Sequence, residues 1–185
     1  MATRLMQRRI KTPRLLLPAT LLVTALTTAS GLAAEEIPAP FGLQWGESPV
    51  RMEVLLTNSR ARIVDRKLNA DGEVWTVEGI KQQSLRRSVF HFRSNMLFEV
   101  ELQYQSDDWD TDRYTNFMKQ FRTRFDEKYG IGQLIARSND TQGDVLQTLV
   151  GYRWTKSDTS IQLFFFEAQN TKQSYRTISI HYRKD

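Results

Sequence analysis

A chain that repeats itself must fold twice in the same way, and this is the strongest constraint the sequence carries. IVDRKLNADGEV (Ile63–Val74) lies over LIARSNDTQGDV (Leu134–Val145) without a gap, at an offset of 71 residues. Apolar positions fall on apolar positions, Arg66 on Arg137, Gly72 on Gly143 and Val74 on Val145. The same offset carries Val50 to Phe121 and Val54 to Phe125 upstream, and Phe90 to Ile161 and Phe92 to Leu163 downstream. Past a longer hairpin in the second copy, Val100, Leu102 and Tyr104 match Ile178, Ile180 and Tyr182. Self-similarity at a fixed offset is the mark of a duplicated supersecondary unit.

Each unit reads as a helix followed by several strands. Ser48–Pro49 predicts a helix start, because serine accepts from orphan amides and proline at the first helical position has no amide to lose. In the second unit Tyr114, Phe117, Phe121, Phe125 and Tyr129 recur at helical spacing, an aromatic stripe that belongs in a core. Gly130 stops that helix. The strands alternate: Phe98, Val100, Leu102 and Tyr104 against Glu99, Glu101 and Gln103, then Ile178, Ile180 and Tyr182 against Ser179, His181 and Arg183. Ser94–Asn95 and KSDTS (Lys156–Ser160) are the turns between neighbours. One greasy and one wet face predict an antiparallel sheet with helices on the greasy side. The expected fold is α+β: two tandem α-β-β-β(-β) units, about 41–106 and 107–185, forming one curved sheet with two helices on one face.

The first residues read as an address. Arg4, Arg8, Arg9, Lys11 and Arg14 stand without an acid, LLLPATLLVTALTTASGLAA follows, and small residues precede Glu35–Glu36. That is the layout of a secretory signal peptide. Residues 1–34 are expected to be removed after Ala33 or Ala34, leaving 35–185 as a single mature domain. An uncleaved signal is the one membrane attachment in view. Lys11 occupies the place where a twin-arginine signal wants an apolar residue, so the general secretory route and the periplasm are expected.

Export changes the meaning of the charge. The whole chain has 26 Lys+Arg against 21 Asp+Glu, and the five basic residues of the signal leave the remainder balanced. A lasting basic field is absent, and nucleic acid is not an expected partner. Without cysteine there is no disulfide and no lipobox thiol, so the protein is not expected to be a lipoprotein.

DDWDTDRY (Asp107–Tyr114) has the alternating aspartates of a calcium loop, but Arg113 and Lys119 stand where such a loop needs glycine and glutamate. Asp110 or Thr111 is read instead as a helix cap, with Asp112 facing the positive end of the helix. His91 in FHFR and His181 in IHYR fall out of phase in the repeat, opposite Gln162 and Gln103, and are read as solvated strand residues. No catalytic, cofactor or metal motif is assigned. The wet face is more specific. Glu99, Glu101, Gln103, Arg153, His181 and Arg183 are expected there, and if Ile161, Leu163 and Phe165 point inward, Gln162, Phe164 and Phe166 point out. Aromatic anchors among charges and amides are the make-up of a protein-binding surface. Trp75 is inward or outward by a one-residue change of register.

FGLQWGESPVRMEVLL (Phe41–Leu56) resembles the start of many small exported bacterial proteins, in which F-G-x-x-W-G-x-S leads into a short helix. The doubled helix-then-strands unit is similar to the fold of the outer-membrane assembly factor BamE and, in tandem form, of the β-lactamase inhibitory protein. The resemblance implies a non-catalytic envelope protein that binds another protein through a sheet face or loops. This chain lacks the lipoprotein cysteine of the first and the disulfides of the second, so neither partner carries over. Phe41 and Trp45 are expected to pin the leading strand to the core. The expected function is binding an envelope protein, as an assembly accessory or enzyme inhibitor; the alternative is a small periplasmic hydrolase acting on envelope material.

Overall fold

The computed structural model describes residues 36–185; the expected signal segment lies outside them. A 3-10 turn at Pro40–Gly42 leads to α1 (Pro49–Asn58), then β1 (Arg62–Asn69), β2 (Gly72–Glu78), β3 (Leu85–Arg93) and β4 (Met96–Tyr104). The second unit is α2 (Thr111–Tyr129), β5 (Gln133–Gln142), β6 (Val145–Lys156), β7 (Thr159–Gln169) and β8 (Ser174–Lys184). All eight strands form one sheet in the order β1-β2-β3-β4-β8-β7-β6-β5. Every neighbour is antiparallel. The fold is α+β, two tandem units with two helices packed on the sheet, as expected.

The local signals act as their chemistry dictates. The Ser48 hydroxyl accepts from the Arg51 amide and the Asp110 carboxylate from the Arg113 amide, while Gly130 takes φ 88° to end α2. Ser94 and Asn95 turn the β3–β4 hairpin with positive φ of 50° and 62°, the twist that a two-residue hairpin requires. The α2 stripe is core: Tyr114 and Phe125 are buried, Phe117 meets Phe121 edge-on at 4.9 Å, and Tyr104 of β4 lies 5.2 Å from Phe121. Trp75 points inward with 1% exposure.

The duplication is visible in the ladder. The last strands of the two units, β4 and β8, pair at Leu102↔Ile180, the residues that match in the repeat, so the ladder is symmetric about that pair. The first strands carry the same irregularity at the same place, Ile63/Asp65 in β1 and Leu134/Ala136 in β5, a bulge that bends an edge strand away from unwanted pairing. The offset of 71 does not hold beyond these strands. The β5–β6 hairpin is longer, so the pair Trp75↔Phe90 corresponds to Val150↔Phe165. Phe90 therefore matches Phe165, not Ile161. Gly72 opens β2 beside the Phe92 carbonyl, where a Cβ would sit 1.9 Å from the oxygen, whereas Gly143 lies in a turn at φ 65°. The added residues are even in number, so every side chain keeps its face.

Three further expectations fail. Val50 and Val54 are 76% and 48% exposed and do not match Phe121 and Phe125, while the other apolar positions at helical spacing in α1, Met52, Leu55 and Leu56, face the core. Phe98 turns to the wet side because the β3–β4 register shifts between His91 and Phe92, and Leu97 takes the inward place with 1% exposure. Phe41 is 43% exposed, turned out by a φ of 63° in the 3-10 turn. The anchor is Ile37, fully buried, whose amide donates to Thr159 Oγ1 at 2.8 Å and whose carbonyl accepts from Trp45 Nε1 at 2.9 Å.

One core position is imperfect. Ser88 lies on the inward face between Val77 and Leu102, is fully buried, and its hydroxyl has no partner. A desolvated hydroxyl without a hydrogen bond destabilises the fold. Ser88→Ala is expected to stabilise by about 1 kcal/mol, raising the melting temperature by roughly 2–4 °C, read by thermal unfolding of both proteins.

Candidate functional site: the outer sheet face

The helices close one side of the sheet and leave the other open. Alternation places Glu99, Glu101 and Gln103 of β4, His181 and Arg183 of β8, Gln162, Phe164 and Phe166 of β7 and Arg153 of β6 on that outer side, on four adjacent strands. Register makes them a patch. Glu101, His181, Gln162 and Arg153 stand in one row across the sheet; Gln103, Ser179, Phe164 and Gly151 form the next. All nine residues expected on the wet face are thereby gathered in one place.

The aromatic part of the patch is shaped by a glycine. Phe164 lies over Gly151, where a Cβ would come within 2.5 Å of the ring, so a side chain there would push the ring off the sheet. Its other side meets the His181 ring edge-on at 5.7 Å. Phe166 lies 6.2 Å from Tyr175. Both phenylalanines are half-buried by these neighbours and remain open to solvent. Phe98 adds a further ring at the opposite corner, with the Arg93 guanidinium 4.2 Å above it and His91 at 6.2 Å.

The polar centre is tightly paired. His181 sits with Nδ1 3.3 Å from Glu99 and Nε2 3.2 Å from Ser179 Oγ and 3.8 Å from Glu101. Glu101 accepts from Gln103 at 2.6 Å, and Glu99 is 4.0 Å from Arg183. His91 is the cross-strand neighbour of Glu99. Burial alone would raise the Glu99 pKa, but the His181 hydrogen bond and the charges of His91, His181 and Arg183 outweigh it and hold the carboxyl below its ordinary value of 4.5. A depressed carboxylate stabilises the fold above its unfolded pKa, and that contribution is lost as pH falls through the lower folded value. Glu99→Gln is accordingly expected to make stability less sensitive to acid below about pH 4.5, measured by urea unfolding over a pH series. An unchanged pH slope would contradict this pairing.

The convergence of both histidines on Glu99 was not visible in the repeat alignment, where they are out of phase. It arises because β4 is the seam strand, paired with β3 on one side and β8 on the other. The one available signal was that both lie on wet faces of strands neighbouring β4. The aspartate run does other work: Asp110 caps α2, Asp108 accepts from Ser106 Oγ, and Trp109 is 7% exposed in the core.

Fold and face together define the class: a tandem helix-plus-four-strand protein whose sheet packs two helices on one side and presents rings, guanidiniums and a paired carboxylate–histidine cluster on the other. Comparison with protein-family models, with curated proteins and with solved structures found no match.

Proposed function

We propose that this chain is an exported envelope protein that binds a partner protein through the outer face of its sheet, as an assembly accessory or an enzyme inhibitor. The observation that carries the reading is the gathering of Phe164, Phe166 and Arg153 with the Glu99–His181 cluster on the open side. Aromatic and arginine side chains at the centre of a patch are the usual anchors of a protein interface. The basic-apolar-small pattern of residues 1–34 and the F-G-x-x-W-G-x-S motif support the envelope as the place of action. The test is a photo-crosslinking residue placed at Gln162, at Phe166, or on the far side at Val50, in the native compartment. Outer-face positions are expected to trap one discrete partner and Val50 none. Trapping from Val50 alone would overturn the proposal.

A second reading, the envelope hydrolase, has one specific observation behind it. Ser179 Oγ, His181 and Glu99 stand in nucleophile–base–acid order at 3.2 and 3.3 Å, the geometry that activates a serine. The backbone amides of β8 are directed in the sheet plane toward β4 and β7, away from the place where an oxyanion above Ser179 would form. Turnover of p-nitrophenyl acetate that disappears in Ser179→Ala would favour this reading; turnover equal in both proteins would remove it.

A further inference from the structure

The outer face has an uneven charge balance, and this bears on the chemistry of the partner; the inference rests on the docking proposal above. Most of the carboxylates on that face are already occupied. Asp65 is 3.4 Å from Lys67, Glu78 3.8 Å from Arg62, Glu99 pairs with His181 and Arg183, and Glu101 with Gln103 and His181. Three arginines on the same face have no carboxylate partner among the described residues. Arg93 lies over the Phe98 ring, Arg87 stands beside Gln103 in the β3–β4 ladder, and Arg153 stands between two uncharged amides, Gln133 of β5 and Gln162 of β7. Against them stands Asp140, out on the edge strand β5.

Covering these arginines without giving them carboxylates would be costly, because a desolvated, unpaired guanidinium loses its hydration with nothing in exchange. A basic partner would add repulsion. Arg87 on β3 and Arg153 on β6 are four strand steps apart, about 19 Å at the usual spacing, and the Phe164 ring lies between them on β7. We infer that the partner protein presents an acidic surface, its carboxylates meeting Arg87, Arg93 and Arg153 around an apolar side chain that packs on Phe164 and Phe166.

Two labelled peptides of equal length serve as probes, one combining glutamate with phenylalanine and one combining lysine with phenylalanine. Binding to the full mature protein is followed by fluorescence anisotropy at low and high salt. The acidic peptide is expected to bind at least about tenfold tighter than the basic one, and to weaken as salt rises. Arg153→Glu is expected to weaken it by about tenfold or more, whereas Arg51→Glu, the same charge change on exposed α1, leaves it unaltered. Both positions are exposed, and circular dichroism verifies that the variants fold. Equal binding of the two peptides, binding of neither, or equal effects of the two variants would overturn the inference. If outer-face crosslinks nevertheless trap a partner, docking stands and its acidic character falls; if they trap none, the docking proposal falls first.

Discussion

Glu167→Ala is expected to lower the unfolding free energy by about 3 kcal/mol and the melting temperature by roughly 6–12 °C. Glu167 is 6% exposed on the helix-facing side of β7, a place where alternation with Leu163 and Phe165 would predict an apolar residue. It is tolerated because its carboxylate accepts from Arg176 Nε of β8 and from Thr111 Oγ1, at 3.0 Å, at the start of α2. One side chain thus ties the N-terminus of the helix to two strands. Truncation leaves Arg176, itself only 18% exposed, with a largely desolvated charge and no carboxylate, its guanidinium held only by the Ser174 hydroxyl at 3.0 Å, the costly way to break such a pair. Glu167→Gln keeps an acceptor for Thr111 and is expected to lose less. Urea unfolding of the two variants reads the difference, and a loss below about 1 kcal/mol in Glu167→Ala would mean the pair does not hold the helix.

The second large effect is at the other end of α2. Gly132→Ala is expected to cost about 2–3 kcal/mol, because the new Cβ would sit 2.4–2.8 Å from ring atoms of Trp154. Trp154 cannot step aside easily: it is 3% exposed, packs on Phe125 at 5.2 Å, and its Nε1 donates to Asp126 at 3.0 Å. The Gly132 amide donates to that same carboxylate at 2.8 Å. Displacing the ring therefore disturbs two hydrogen bonds and an aromatic contact together. Thermal unfolding reads the cost, with indole fluorescence reporting the ring's surroundings. A wild-type melting temperature would show that the ring has room the packing does not indicate.

What the sequence made legible follows from local chemistry. Ser48, Asp110 and Gly130 mark helix ends because caps are satisfied within a few residues of where they stand. The outer-face set was legible because alternation fixes a side chain's face from parity alone. Phe98 escaped that reasoning, since one register shift opposite His91 reverses the parity and no residue type announces it. Val50 and Val54 escaped because a ten-residue helix has too few turns for its apolar face to be read unambiguously. The repeat alignment ran past its validity in the β5–β6 hairpin, where a gapless match of glycines is compatible with two different backbone places. The Glu99–His181–Ser179 contact depends on β4 meeting β8, strands separated by the whole second unit, and such a pairing leaves no local trace.

The most direct test measures the affinity of the crosslink-identified partner for two purified variants. One carries Phe164→Ala, Phe166→Ala and Arg153→Ala, removing the centre of the outer face; the other carries Val50→Ala and Val54→Ala, removing the exposed side of α1. The outer-face variant is expected to lose about a hundredfold or more in affinity with its melting temperature nearly kept, and the α1 variant to bind as the unaltered protein does. Undiminished binding by the outer-face variant would contradict the account.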